Sequence, residues 1–241
     1  MNTYLITFGG SDDPMSESDR WFIFGGIHRD YVKEGKRLVE SAENVGLKGH
    51  FYDFNWLKST DEYHNNPITF SKRPYAWAFK PTAIWHKLNE INDGDVVIWC
   101  DTNHFVNFYP NRIIDVAKEH GIFTYDHSPT YYPNMCWTYR DTFVEMGCDE
   151  ERYWKAPQMR ANVIGICKNN FTMNFVNEWK NYTCNKNVTM TNNLKNFPCF
   201  TDTRDDQSVF SILVEKYKIP AQITPELNGM IVELKEMGLD V

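Results

Sequence analysis

Several features are scarce in this chain, and each absence closes off a class of function. Basic residues are outnumbered, 25 Lys and Arg against 32 Asp and Glu, for a formal net charge of -7. No basic stripe breaks that acidity, so the counterion-releasing electrostatics of nucleic-acid binding have no source. No apolar run approaches the roughly 20 residues that cross a bilayer. The first ten residues, MNTYLITFGG, lack the basic flank and long apolar stretch of a signal peptide, which predicts a cytoplasmic chain. The six cysteines, at 100, 136, 148, 167, 184 and 199, include no CxxC pair and no zinc-type spacing, so reduced thiols are expected. Three N-x-T sequons, at Asn170, Asn181 and Asn187, read as chance matches in an Asn-rich stretch. There are no repeats, no low-complexity tracts and no clear linker.

What is present points to an α/β domain. The 241 residues are 42% hydrophobic, enough for one substantial core. Aromatics reach 15%, including 8 Trp and 13 Tyr. Flat amphipathic rings line carbohydrate and nucleotide sites, and they equally build thick cores. Tyr4–Phe8 reads as a strand closed by Gly9-Gly10, and residues 31–45 carry Val32, Leu38, Val39, Ala42 and Val45 at helical spacing. His50–Phe54 is strand-like and 55–74 loop-like. Pro81 suits the first turn of a helix bearing Ile84, Trp85, Leu88 and Ile91. Val96–Cys100 is an unbroken apolar strand of the type buried on both faces. A helix opened by Pro110 and a strand at Ile122–Tyr125 follow, then helices over Thr138–Met146, Asn170–Tyr182 and the residues after Asp206. Alternating strands and helices over the first 125 residues predict an open, mainly parallel twisted sheet with helices on both faces. One domain is the simpler organisation, with 1–125 and 126–241 as its two halves.

The stretch GDVVIWCDTNHF, residues 94–105, delivers Asp101, Thr102, Asn103 and His104 at the end of a buried strand. Ligands of such sheets bind beyond the carboxyl ends of the strands. Asp101 and Asn103 offer two hard oxygen donors suited to Mg²⁺ or Mn²⁺ carrying a diphosphate. Taken alone, D-x-N reads first as a strand-to-loop turn. Its surroundings add weight. RPYAWAFKP, residues 73–81, offers Arg73 and Lys80 as phosphate donors and Tyr75, Trp77 and Phe79 as stacking rings. TRDDQS, residues 203–208, places Asp205 and Asp206 at a helix mouth, where only one of them need cap.

Five pieces in order, RPYAWAFKP, IWHKL, GDVVIWCD, WTYRDTF and RDDQSVFSIL, resemble a family of small bacterial and viral glycosyltransferases with the GT-A fold. The resemblance runs from Arg73 to about Leu213, and the compact size is similar to the enzymes of large algal DNA viruses. It implies a GT-A-like (Rossmann-like) fold and transfer of a sugar from a nucleotide donor, often UDP-linked, with Mn²⁺ or Mg²⁺. It places the D-x-D-type metal motif on Asp101-Thr102-Asn103, and base and ribose at Thr7, Phe8 and Gly9. Arg73, Trp77 and Lys80 would approach the donor, with Asp101 and Thr102 at its diphosphate. The Asp206-Gln207 pair is similar to one that lies against the donor sugar in glycogenin-like transferases. This chain departs from the family at three points: Asn103 replaces the second acid, Tyr139 replaces a cation before Arg140-Asp141, and no histidine follows His127. A third metal ligand would have to be another residue, with His104 and Asp205 as candidates.

An acceptor hydroxyl needs a general base in an inverting transferase; Asp206 is the first candidate and Asp205 the second. In a retaining one, Gln207 or Asp206 would steady the sugar. Tyr131, Tyr132 and Trp137 are candidates for stacking on acceptor sugars. Three rivals stay open: a metal-dependent nucleotide-sugar hydrolase, a nucleotidyltransferase, against which the acids of FGGSDDP argue, and a non-catalytic sugar-binding module.

Overall fold

The apolar run Thr3–Phe8 forms strand β1, which lies inside a sheet rather than at its edge. The structure is a computed structural model that describes residues 1–10, 30–71, 77–126, 132–222 and 229–233. Arg73, Tyr75 and Tyr131, expected at the site, lie outside the described residues. Helix α1 (Tyr31–Asn44) starts where Asp30 accepts a hydrogen bond from Lys33 N, and it leads to β2 (Lys48–Tyr52), parallel to β1. The segment expected as loop instead folds into three single-turn helices, α2 (Phe54–Lys58), α3 (Asp61–Asn65) and α4 (Pro67–Ser71). Asp53 caps the first through Trp56 N and Thr60 the second through Tyr63 N, while Phe54, Leu57 and Phe70 are buried. A capped turn with one or two buried residues is too short to display a helical period.

Helix α5 (Phe79–Glu90) and β3 (Val96–Cys100) follow, with β3 parallel to β1 on the side away from β2. Then come β4 (His104–Val106), α6 (Asn111–His120) and β5 (Ile122–Asp126). The second half holds a 3₁₀ turn (Asn134–Cys136), α7 (Arg140–Glu145) and α8 (Glu151–Lys155). After these come β6 (Met159–Cys167), α9 (Asn170–Cys184), α10 (Lys186–Thr189), α11 (Asp206–Lys216) and β7 (Ile231–Glu233).

The main sheet has the order β2-β1-β3-β6-β5. Four strands run one way and β6 alone runs against them, pairing antiparallel with β3 and β5. This is the mainly parallel α/β sheet expected, with one inserted strand that hydrophobic periodicity does not single out. The entry of β6 alternates buried and polar residues, its second half is apolar, and Gly165 interrupts it. A Cβ on Gly165 would stand 2.6 Å from Ile113 Cγ2, so the close approach of α6 requires glycine there.

Helices cover both faces. Val97 and Trp99 of β3 join α5, α9 and α11 in one core; Val96, Ile98 and Cys100 join α1 and α6 in the other. The strand order turns back at β1 and β3, so their carboxyl ends flank the switch point where such folds bind ligands. Gly9 and Gly10 leave one end and Asp101 the other.

The cysteines are not all reduced thiols. Cys136 and Cys199 form a disulfide across 63 residues of chain. Sequence spacing gives no sign of it, because the two meet through tertiary contacts: Thr201 N donates to Cys136 O at 2.8 Å, and Phe200 packs on Tyr139. Cys100, Cys148, Cys167 and Cys184 are free and buried, and burial pushes the Cys184 thiol up to about 12. Among the described residues, no helix is long and apolar enough to cross a membrane.

Candidate active site

The turn after β3 splits its side chains between the two faces of the sheet. Asp101 stays on the side of Trp99, whose indole Nε1 donates to Asp101 Oδ1 at 2.8 Å. Thr102 turns to the other side and donates from Oγ1 to the buried Glu34 of α1 at 3.1 Å. His104 is 2% exposed; Nδ1 lies 3.1 Å from Asp101 O and Nε2 3.2 Å from Asn162 Nδ2. The amide can only donate and the carbonyl only accept, so the neutral Nδ1–H tautomer satisfies both contacts. Both ring nitrogens are thereby occupied in bracing the turn, and His104 is not placed to ligate a metal. Asn162 also accepts from Tyr125 OH at 2.6 Å, and Asn162 O accepts from Asp101 N.

Lys80, in the first turn of α5, is 4% exposed. Its Nζ donates to Ala161 O at 2.7 Å and stands 3.4 Å from Asp101 Oδ1 and 3.3 Å from Asp206 Oδ2. Burial draws the ammonium down, but Asp101 and Asp206 outweigh it and hold the pKa above the ordinary lysine value. The expectation that Lys80 reaches for a diphosphate is therefore replaced: its donors are committed to two carboxylates and a carbonyl of β6. One buried cation joins three segments, at 80, 101 and 206, that the sequence analysis picked out separately.

Asp205 and Asp206 both depart from the capping role open to them. Asp205 holds φ 45° with no side-chain cap bond, a backbone region costly for a non-glycine residue. Ser208 Oγ instead fastens the residue before the turn, accepting from Arg204 N at 3.1 Å and donating to Trp137 O at 2.7 Å. Asp206 begins α11, where Trp179 Nε1 of α9 fixes its carbonyl at 2.9 Å. Its side chain is buried, and despite the nearby ammonium Oδ2 has no directed hydrogen bond. Burial pushes the Asp206 carboxyl up to about 7, with Lys80 opposing and Asp101 and Asp205 adding to the rise. Burial likewise pushes Asp205 up to about 7, helped by Asp202 and opposed by Arg204. Trp77, in the other motif segment, also has positive φ, 54°, and packs edge-on against Phe79.

The remaining expected residues fall into two groups. Thr7 and Phe8 are wall rather than lining: Thr7 is fully buried, and Phe8 stacks on Phe79 at 4.4 Å. At this end of β1 the side chains are sealed, and Gly9 lies under Tyr31, whose carbonyl oxygen a Cβ would meet at 2.3 Å. Tyr132 and Trp137 do come together, ring centroids 5.6 Å apart, and both are partly exposed. Arg204 covers one face of Trp137 at 4.5 Å, and Arg204 N donates to Trp137 O, which ties this pair to the Asp205–Asp206 turn. Gln207, partly exposed, follows them on the first turn of α11. Sequence reasoning missed Trp99, Asn162 and Trp179, which hold the acids in place. The only available signal was their position: Trp99 stands two residues before Asp101, the same-face neighbour along a strand.

A divalent cation finds a partial donor set. Asp101 Oδ1 is occupied by Trp99, while Oδ2 has no partner among the described residues and the side chain is 36% exposed. Asn103 beside it is partly exposed. One free carboxylate oxygen and one amide oxygen fit an ion that draws its other ligands from phosphate and water. No group of three His, Cys, Asp or Glu that could hold a metal stands among the described residues, so neither His104 nor Asp205 completes a protein-only site.

No protein-family profile and no curated protein sequence matches the chain. Among solved structures it is similar to a glycosyltransferase involved in the glycosylation of the major capsid of PBCV-1. That TM-score is 0.47, with 12% identity over 97% of this chain and 94% of the other. It is also similar to mouse xyloside xylosyltransferase 1 in the apo form, with TM-score 0.48 and 11% identity over 92% of this chain and 85% of that one.

Proposed function

We propose that this chain transfers a glycosyl group from a nucleotide-diphosphate sugar, with a UDP-sugar as the first donor to test, to a hydroxyl of a glycan or other acceptor. The observation that carries the reading is the buried Lys80 bridge between Asp101 and Asp206 at the carboxyl edge of β3. It unites an acid suited to escorting a departing diphosphate with an acid suited to serving an acceptor. Asp101 and Asn103 would hold Mn²⁺ or Mg²⁺, and the ion supplies charge neutralisation for the leaving diphosphate. Asp206 is assigned the proton of the acceptor hydroxyl. A carboxyl raised to about 7 is a stronger base than an ordinary aspartate once ionised. Lys80 keeps that carboxylate pointed and partly compensated, and Tyr132 and Trp137 offer ring faces to the acceptor.

The test is a thermal-shift screen of nucleotide sugars with and without Mn²⁺, followed by measurement of UDP release with acceptor present. A donor that binds the folded chain raises its melting temperature. Asp206→Asn should keep that shift and abolish transfer. No shift with any nucleotide sugar, or full transfer by Asp206→Asn, would overturn the assignment. Release of free sugar at an unchanged rate without acceptor would establish the hydrolase instead.

A further inference from the structure

We propose that Arg37 and Arg160 form an oxyanion site, for a phosphate or carboxylate group, on the side of the Asp101–Val106 turn away from Lys80. Arg160 stands at the entry of β6. Because β6 runs against β3 and β5, its start lies at their carboxyl ends, the ligand edge of the sheet. The Arg160 side chain faces Tyr125, its Cζ 5.8 Å from the ring centroid, and Tyr125 OH holds Asn162, which holds His104. Tyr125 belongs to the core shared with α1 and α6, not the one shared with α5 and α11. Arg160 therefore lies across the sheet from the carboxylates of Asp101 and Asp206.

Arg37 reaches the same turn from α1. One turn before it, Glu34 holds Thr102; one turn after it, Ser41 Oγ accepts from Val106 N at 3.0 Å. Arg37 is thus bracketed over the segment between 102 and 106.

Each guanidinium keeps buried donors that the protein does not satisfy. Arg160 Nε and Arg37 Nε and Nη2 are sealed from water with no hydrogen-bond partner, and neither arginine has an ion pair among the described residues. The acids of α1 and of the turn have partners of their own: Glu34 accepts from Thr102, and Asp101 and Asp206 turn to Lys80 on the other face. Buried donors on a charged group are costly when unpaired, and a guanidinium presents a fork that matches two oxygens of a phosphate or carboxylate. A ligand oxyanion supplies what the fold withholds. Which molecule brings it, the donor's diphosphate or an acidic acceptor sugar, rests on the transferase reading; the site itself does not.

The experiment titrates the full chain with inorganic pyrophosphate, UDP, uridine and D-glucuronate by calorimetry. It compares wild type with Arg37→Gln, Arg160→Gln and Arg160→Lys. Melting temperatures without ligand check folding, and Arg160→Lys carries the Arg160 arm if the glutamine variant is unfolded. Wild type should bind an anionic probe, and each glutamine variant should bind it about tenfold or more weakly, with uridine affinity unchanged. Arg160→Lys, which keeps charge but not the fork, should fall between. Loss confined to UDP and pyrophosphate assigns the group to the donor; loss confined to glucuronate assigns it to the acceptor. Anionic-probe affinity unchanged in the variants, or lost in only one of the two glutamine variants, overturns the shared site. If neither UDP nor uridine binds wild type while pyrophosphate or glucuronate binding depends on both arginines, the nucleotide-donor reading fails and the oxyanion site stands.

Discussion

Replacing Lys80 with methionine keeps an unbranched side chain one atom shorter and removes the charge lying 3.4 Å from Asp101 and 3.3 Å from Asp206. At an effective dielectric of about 20, each pair at this distance is worth roughly 5 kcal/mol of Coulomb attraction before desolvation is subtracted. The Asp101 side chain is 36% exposed, so water screens much of its share. Asp206 is buried, and stranding a buried carboxylate costs about 3–5 kcal/mol. That cost applies only while Asp206 is ionised. With Lys80 in place the Asp206 carboxyl, at about 7, is ionised at pH 8 and protonated at pH 5. Removing the ammonium that opposes the rise pushes it higher, so at pH 8 the variant must either strand the charge or take up a proton, and at pH 5 it does neither. At pH 5 the variant loses chiefly the hydrogen bond to Ala161 O, about 1–2 kcal/mol. A domain of this size shifts its melting temperature by roughly 2–4 °C per kcal/mol. Lys80→Met should therefore melt about 10 °C below wild type at pH 8 and about 4 °C below it at pH 5. The double variant Lys80→Met/Asp206→Asn should recover much of the pH 8 loss, because the stranded charge is gone. Circular dichroism melts at the two pH values read this directly. An equal drop at both, or a double variant no more stable than Lys80→Met at pH 8, would refute the reasoning.

Three further outcomes are expected. Asp205 and Asp206 are raised by burial to about 7, so the stability that their neutral forms contribute is complete below pH 4 and is lost as pH rises through 7. Base catalysis has the opposite sign: kcat/KM for transfer should climb through about pH 7 in a pH–rate profile, and a flat profile would remove Asp206 as the base. Cys136→Ser opens a bridge between residues 63 apart, worth about 4 kcal/mol in the chain-entropy account, so it and a dithiol reductant should lower the melting temperature by about 10 °C alike. Gly9→Ala drives a Cβ to 2.3 Å from Tyr31 O, which should cost about 1–3 kcal/mol in chemical denaturation; an unaltered midpoint would contradict the close approach of α1 to β1.

The parts of this protein written in local chemistry were readable from its sequence, and the parts written in distant contacts were not. Val96–Cys100 is apolar because both of its faces are buried, and that continuous run marks it as an interior strand. The segments around Lys80, Asp101 and Asp206 stood out because charge beside aromatic and apolar text is unusual. What joins them, an ammonium between two acids 105 residues apart, exists only after the sheet has closed. Lys80 was accordingly read as a phosphate donor, since nothing local tells a lysine that it will be buried. The β6 strand escaped because its entry, Met-Arg-Ala-Asn, carries two polar residues that belong to the ligand edge. The Cys136–Cys199 bond escaped for the same reason as the lysine bridge: proximity in space leaves no trace in spacing.

That bond also changes the connectivity of the molecule. It closes residues 136–199 into a covalent ring that threads through β6 and α9, while Asp205 and Asp206 lie on the tail just outside it. The stretch 192–195 is exposed and without regular structure, so a cut there falls inside the ring. One such nick leaves both pieces fastened together, and the severed chain would travel as a single species until its sulfurs are reduced.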